Sequence, residues 1–191
     1  MRLWAVNVDF MDDVSIGNEV LKHQADNYRR LRNTMRFLLG SLSDFTSAEA
    51  VDLNDAKLPE LEQWVLHRLS QMDELVRTSY ARYDLNKLFV ALQNFCGLEL
   101  SAFYFDIRKD RLYCDDAQSY GRRATRTVLA KIYECLTIWL APVLSFTTEE
   151  AWALRPAGVF EDVSSVHVRE LPTLPTAWRN DELAKKWNRL A

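Results

Sequence analysis

Basic and aromatic side chains crowd one stretch near the start of the sequence, and they are the residues best suited to chemistry. From Tyr28 to Phe37 the chain reads YRRLRNTMRF, with four arginines and one asparagine. On a helix, steps of three and four residues bring Arg29, Asn33 and Arg36 to one side. Guanidinium groups contact phosphates, aromatic rings stack on unpaired bases and amides meet base edges, so this side suits single-stranded RNA. The same residues equally suit a solvated helix face that pairs with neighbouring acids.

Two further basic clusters follow later in the chain. Ten of the 24 basic residues fall in three clusters: Arg29, Arg30, Arg32 and Arg36; Arg108, Lys109 and Arg111; and Arg122, Arg123 and Arg126. The net charge is -3, which argues against a general polyanion binder, because such a domain is usually strongly basic. If the three clusters converge in the fold, they give an acidic protein one basic face.

No catalytic or metal-binding pattern accompanies these clusters in the sequence. The histidines, His23, His67 and His167, have no second histidine or cysteine at a metal-ligand spacing. The glycines are isolated, so a phosphate-binding loop is not predicted. Adjacent carboxylates at 115–116 and 149–150 are better explained by helix starts than by acid–base catalysis. We therefore predict no catalytic residue and no metal site.

Cysteine usage and the start of the chain predict a cytoplasmic location. Cys96, Cys114 and Cys135 are odd in number and show no CxxC pattern, so neither a disulfide framework nor a zinc site is indicated. The first residues reach several aspartates before any apolar run long enough for a signal or membrane segment. A soluble protein of the reducing cytoplasm is expected.

Long amphipathic helices must position the basic clusters. Apolar residues recur at steps of three and four in four stretches that begin near Asn18, Pro59, Asp84 and Ser119. Hydrophobic residues make up 48% of the chain, and only five glycines and five prolines interrupt it, which disfavours a turn-rich β architecture. The predicted fold class is all-α: an antiparallel helical bundle with short irregular N- and C-terminal segments.

Several local signals predict where these helices begin and end. Gly40 offers a left-handed stop for the first helix, and the charged stretch 108–118 predicts an exposed connection or a frayed helix end. Thr147 and Glu150 match a capping box for a short fifth helix. Alternating valines at 166–168 predict a short strand.

Three segments are predicted from these signals. Residues 1–17 form a connecting segment, 18–156 the helical bundle, and 157–191 a C-terminal extension that is irregular and then starts a helix. Neither the first helix nor the last has a full set of end signals. Both ends are therefore expected to be interior points of a longer chain.

Five segments together resemble the anticodon-binding domain shared by the synthetases for isoleucine, valine, leucine and methionine. They are RLWAVNVDFMDD at 2–13, YRRLRNTMRFLLGSLSDF at 28–45, LSAFYFDIRKDRLYCD at 100–115, RRATRTVLAKI at 122–132 and LAPVLSFTTEEAW at 140–152. The resemblance covers almost the whole chain. RNTMRFLLG and KDRLY are similar to the isoleucine-type and not the valine-type members, so the resemblance is strongest to bacterial isoleucine enzymes.

This resemblance implies a partner and a parent enzyme. The bundle would dock beside the catalytic domain of the same parent chain and grip the anticodon stem-loop of isoleucine tRNA. The parent would charge that tRNA with isoleucine by using ATP and magnesium. The HIGH and KMSKS motifs and the editing domain do not occur in these 191 residues, which implies a ligase fragment without a catalytic site or cofactor of its own. Neither DNA nor a membrane is expected as a partner.

Carried over onto this sequence, eight residues are expected to contact the tRNA: Arg32, Asn33, Arg36, Phe37, Lys109, Arg111, Arg122 and Arg123. For Asn33 and Phe37 the alternative is helix packing, with Asn33 as a buried amide bonded to nearby backbone. The predicted exposed connection favours RNA contact for Lys109 and Arg111. The six tryptophans are expected to be core or interface anchors, because their neighbours are apolar.

Two alternatives stay open at the level of sequence. One is the equivalent domain of a valyl- or leucyl-tRNA synthetase, against which the KDRLY segment argues. The other is a non-catalytic helical protein-interaction module with its partner patch near Trp4 and Trp187. Such a module would bind protein but not RNA.

Overall fold

The computed structural model describes residues 1–9, 13–14, 16–187 and 189. Its α-helices are α1 (Arg2–Val6), α2 (Asn18–Leu42), α3 (Glu60–Arg82), α4 (Leu85–Asn94), α5 (Phe105–Cys114), α6 (Tyr120–Leu140), α7 (Ser145–Ala153) and α8 (Asp181–Trp187). A π-helical segment, Phe95–Tyr104, joins α4 to α5, so that Leu85–Cys114 is one rod of 30 residues. Short 3₁₀ helices lie at Ser47–Glu49, Val166–Val168 and Thr176–Trp178. The described residues contain no strand, and the predicted all-α class is confirmed.

The long helices α2, α3, the rod and α6 run alternately up and down. The contacts Thr34–Ser101 and Phe37–Phe105 show that α2 and the rod are parallel. The contacts Glu62–Arg108 and Arg68–Glu99 show that α3 and the rod are antiparallel. The contacts Glu62–Thr125 and Tyr80–Trp139 show that α3 and α6 are parallel. Short connections between consecutive helices produce this arrangement. The predicted bundle is thereby confirmed.

A large hydrophobic cluster runs through the bundle, and a smaller cluster surrounds Trp152. Trp64, Trp139 and Trp152 are fully buried, as the sequence predicted for tryptophans with apolar neighbours. Burying each large apolar side chain contributes roughly 1.5–3 kcal/mol, so the buried side chains of the helices hold the bundle together. Leu3 of α1 and Leu174 belong to the large cluster, which places both terminal segments against the bundle.

The rod is apolar enough to cross a membrane by length and composition, with a mean hydropathy of 1.3 over its most apolar stretch. Of that stretch, 44% is buried inside the protein. Leu88, Phe89, Leu92 and Leu100 are fully buried against the other helices. The demand of the core for apolar side chains accounts for the composition of the rod.

The predicted stop at Gly40 is wrong. α2 continues through Gly40 to Leu42, and the described glycine with a positive φ is Gly158 instead. Leu38 and Leu42 are both completely buried, one helical turn apart. The apolar stripe therefore holds the last turn in helical form, and the tolerance of glycine for other conformations is not used.

The predicted connection or frayed helix end over 108–118 is wrong for residues 108–114 and right for the exposed residues 115–118. α5 continues to Cys114, and only 115–119 connect it to α6. Leu112 keeps one side of α5 buried, while charged neighbours pair along the helix, Lys109 with Asp106 and Arg111 with Asp115. A charged run can thus continue a helix when opposite charges lie three or four residues apart.

Two smaller predictions are corrected in the same way. Thr147 lies inside α7, which begins at Ser145, so it does not cap the helix; the capping box forms at Thr46 and Glu49 instead. The alternating valines belong to the 3₁₀ helix Val166–Val168, in which Val166 is buried and Val168 is exposed. The predicted end of the last helix at 191 lies outside the described residues.

Candidate nucleic-acid interface

The outer side of α2 carries an open basic surface. The inner side of α2 is buried and carries Leu31, Thr34, Met35 and Leu38. The helical period then places four residues on the solvent side: Arg29, Arg30, Asn33 and Arg36. These four exposed residues are called the α2 face. Because Asn33 is exposed, the alternative that made it a buried packing amide is wrong.

Two arginines of the α2 face have no acid to neutralise them. Neither Arg30 nor Arg36 has an ion-pair partner among the described residues, whereas Arg29 pairs with Asp26 one turn away. An exposed and unpaired guanidinium keeps its donors available for a phosphate. The α2 face therefore holds charge that the fold does not use.

Arg32 lies beside the α2 face but points toward α7. Its guanidinium donates to both carboxylate oxygens of Glu150, at 3.1 and 3.3 Å, and to the Tyr28 hydroxyl at 3.3 Å. The hydrogen bond and charge of Glu150, helped by Tyr28, raise the pKa of Arg32. Arg32 is partly exposed and bridges two helices, so RNA would have to compete with Glu150 for it.

Phe37 is a packing residue in the structure. Its ring stacks on Phe105, with ring centroids 4.4 Å apart and planes 18° from parallel. The stack joins the second half of α2 to α5. The packing alternative stated for this residue is the one the structure shows, and the stack joins α2 to the first residue of the helix that carries KDRLY.

The two basic residues of the KDRLY segment differ in their exposure to solvent. Lys109 is about half exposed, and its ammonium donates to Asp106 at 2.7 Å. Arg111 is less exposed and lies 3.7 Å from Asp115. Its guanidinium packs over Gly121, where an added Cβ would come within 3.3 Å of it. Lys109 is thus the more accessible of the two predicted contacts.

The arginines at the start of α6 hold neighbouring segments in place. Arg122 donates through Nε to the Leu112 carbonyl at 3.1 Å, and Arg123 donates through Nε to the Glu49 carbonyl at 3.0 Å. Both residues are half-buried. Their first role in the structure is therefore to tie α6 to α5 and to the 3₁₀ helix Ser47–Glu49.

Two basic residues of the predicted clusters do not belong to an exposed basic face, because Arg126 is buried and Arg108 is largely covered. Arg126 is only 2% exposed, pairs with Asp44, and donates to Glu49 at 2.6 Å. Arg108 donates twice to Glu62, at 2.6 Å each time. The expectation that all three clusters converge on one exposed basic face is wrong for these two residues.

A buried charge network surrounds Glu62, which has no exposed surface. Besides Arg108, Thr125 donates to it at 2.8 Å and the Tyr104 hydroxyl at 3.4 Å. Burial, together with the Glu62 charge, raises the pKa of Tyr104 well above its usual range. One signal in the sequence was missed: Glu62 follows Leu61 on the inward side of α3.

Two of the three cysteines are buried, and Cys114 is exposed. Clusters of three or more histidine, cysteine or acidic side chains suited to a metal ion are absent from the described residues. Cys96 and Cys135 are buried, and burial raises the pKa of Cys96 to about 12. A thiol that stays protonated is a weak nucleophile.

Comparison with known proteins identifies the family of the chain. Residues 62–190 match the family described as the anticodon-binding domain of tRNA ligase. The chain belongs to this family. It is 47% identical over its full length to an isoleucine–tRNA ligase of Agrobacterium fabrum, and 52% identical over 95% of its length to one of Ruegeria pomeroyi.

This anticodon-binding domain is short compared with its relatives. An isoleucine–tRNA ligase of Gluconobacter oxydans is 46% identical over 98% of the chain, which corresponds to 19% of the ligase. The chain spans about a fifth of the length of the curated relatives it matches. The α2 face lies before the matched residues 62–190 but within the full-length matches to the ligases.

Proposed function

We propose that this domain binds the anticodon stem-loop of an isoleucine tRNA through the α2 face and the exposed Lys109, which lies one turn after the Phe105 ring that stacks on α2. The observation that carries the proposal is the pair of unneutralised arginines, Arg30 and Arg36, which flank the exposed amide of Asn33 on one side of α2. Cations supply phosphate contacts and an amide supplies base-edge contacts, which RNA loops require. Membership of the anticodon-binding family supports tRNA as that RNA.

The parent protein would be a cytoplasmic isoleucine–tRNA ligase, and this domain would contribute recognition without chemistry. The relatives bear that name, and the domain covers about a fifth of them. ATP and magnesium would act in the remainder of the parent chain. The equivalent domains of valine or leucine enzymes are less well supported, because the relatives named above are isoleucine enzymes.

A second role, docking against the remainder of the ligase, is favoured by apolar side chains on α7. Phe146 is 83% exposed and Leu154 is 65% exposed. Both lie at grooves between α7 and α2, lined in part by Met35 and Tyr28. Large exposed apolar side chains beside a groove are typical of an interface between domains.

The test of RNA binding is a salt titration with two fluorescent RNA hairpins, which carry the anticodon stem-loops of an isoleucine and a valine tRNA. The domain should bind the isoleucine hairpin more tightly, and this preference should survive added salt, because base contacts do not depend on counterion release. Absence of binding to either hairpin by a folded domain would overturn the proposal. It would also restore the protein-interaction module as the better interpretation.

A further inference from the structure

A polar groove between α2 and the rod is separate from the α7 grooves and has a volume of about 520 Å³. α2 contributes His23, Asn27 and Arg30 to it, and the rod contributes Gln93, Asn94 and Gly97. The described residues that line it include no aspartate or glutamate, although the chain has 27 acids and a net charge of -3. The groove therefore pairs one unneutralised cation with a set of amides.

The polar groups of this groove are incompletely used by the protein itself. The Gln93 amide nitrogen is buried and has no hydrogen-bond partner among the described residues. Asn27 is 7% exposed and makes a 3.4 Å contact with His23, which is long for a hydrogen bond. A buried amide without a partner costs free energy, and a ligand that supplied an acceptor would remove that cost.

An apolar surface lies at the rim of the same groove. Leu98 is 65% exposed there, next to Gly97, at which an added Cβ would meet nothing within 4 Å. The missing side chain leaves the groove open toward the rod. The first turn of the π-helical segment forms this wall, and such segments are frequent at functional sites.

We propose that this groove, which shares Arg30 and Asn33 with the α2 face, receives an unstacked nucleotide of the bound RNA and forms a subsite next to that face. Arg30 would pair with a phosphate, the amides of Gln93 and Asn94 would meet the base edge, and Leu98 would lie against the base or ribose. The absence of acids favours an anionic ligand over a basic peptide. This inference rests on the proposed RNA binding and extends it to a specific subsite.

Filling the groove tests the inference with little risk to the fold. Gly97→Gln places a side chain in open space, and removing a glycine from a helix interior does not weaken the helix. Binding of the 191-residue chain is measured to the isoleucine hairpin and to a blunt RNA duplex of the same stem, which has no unpaired nucleotide. Gly97→Gln should weaken hairpin binding by about tenfold and change duplex binding by less than about twofold.

Gly17→Gln is the matched control, because Gly17 also has open space around it but lies outside the groove. It should bind the hairpin as the wild type does. A second variant, Asn94→Asp, adds a negative charge to the groove without changing its shape and should weaken hairpin binding severalfold. Asn180→Asp adds the same charge at an exposed position that does not line the groove, and should have little effect.

The outcomes separate this inference from the proposed function. Wild-type hairpin affinity in both Gly97→Gln and Asn94→Asp, with weakened binding in Arg36→Ala, would overturn the groove as a subsite and leave RNA binding by the α2 face intact. Equal wild-type affinity for hairpin and duplex would overturn the groove because no unpaired nucleotide is then bound. Failure of the wild type to bind either RNA would overturn the proposed function itself.

Discussion

Arginine-rich sequences occur in two regions of this domain, and the fold uses them in opposite ways. On the α2 face, Arg30 and Arg36 are exposed and have no acidic partner among the described residues. On α5 and α6, Arg108 is largely covered and paired with Glu62, Arg126 is buried and paired with two carboxylates, and Arg123 donates to a backbone carbonyl. The density of positive charge along a sequence therefore does not measure what is available to a ligand.

The difference comes from the placement of acids. Glu62 points into the core from α3, and a carboxylate buried there is tolerated only when it is paired and hydrogen-bonded. Arg108 and Thr125 supply those partners. Glu150 holds Arg32 in a similar but more exposed way, whereas Arg36 one turn later has no acidic partner in the part of the chain that the structure describes.

The largest expected effect is on stability where α5 meets α6. Arg108→Ala leaves the buried Glu62 carboxylate without its ion-pair partner, so the free energy of unfolding should fall by about 3–5 kcal/mol. Urea denaturation measures this change, with Arg30→Ala as a matched exposed control that should change stability by less than about 0.5 kcal/mol. Similar losses in both variants would break the distinction between the two regions.

A double replacement sharpens the same comparison. Glu62→Leu together with Arg108→Met removes both charges and replaces them with apolar groups of similar length. Much of the stability lost in Arg108→Ala should return, because neither charge is then buried alone. A double variant as unstable as Arg108→Ala would show that the loss in free energy of unfolding comes from packing and not from charge pairing.

A smaller effect is expected at the start of α6. Arg123→Ala should lower the free energy of unfolding by about 1 kcal/mol, because a single hydrogen bond to the Glu49 carbonyl is lost. Hairpin affinity should change by less than about twofold. A tenfold loss of hairpin affinity with unchanged urea denaturation would instead assign Arg123 to the RNA interface.

The smallest effect is a pH dependence that separates stability from binding. His67 is buried, and its Nδ1 accepts the Asn180 backbone N–H at 2.8 Å. Burial lowers the pKa of His67 despite the charge of Asp181, so the folded protein favours the neutral ring. The contribution of neutral His67 to the free energy of unfolding is fully present above the ordinary histidine pKa of about 6.5. It is lost as the pH falls from there through the lowered pKa of the folded protein.

Urea denaturation between about pH 8 and 5 checks this dependence. His67→Asn keeps a neutral acceptor and cannot titrate, so its free energy of unfolding should fall less steeply below about pH 6.5 than that of the wild type. Hairpin binding through the arginines should not share this dependence, since arginine stays charged over that range. Equal slopes in both proteins would remove His67 as the titrating group.

The sequence predicted the helices better than their ends. The apolar period identified the four long helices, since spacing alone decides which side faces the core. The end of α2 could not be predicted from Gly40, because the buried Leu42 outweighs the freedom of a glycine. α5 was missed because its charges pair along the helix, as Lys109 does with Asp106.

The candidate site was predictable only where it lies on one helix. Asn33 and Arg36 follow from the α2 period, whereas the ion pair of Arg108 with Glu62 joins residues 46 positions apart. The polar groove was missed for the same reason. Gln93 and Asn94 lie in an uncharged stretch of the rod and become part of a site only when α2 packs against it.

The central claim is that α2 supplies the cations that meet RNA, and the salt dependence of hairpin affinity tests it most directly. The slope of log affinity against log salt is measured for the wild type, Arg36→Ala and Arg122→Ala. Each lost phosphate contact should reduce the slope by about one, so Arg36→Ala should show this reduction and Arg122→Ala should keep the wild-type slope. An unchanged slope in Arg36→Ala with a reduced slope in Arg122→Ala would contradict the account.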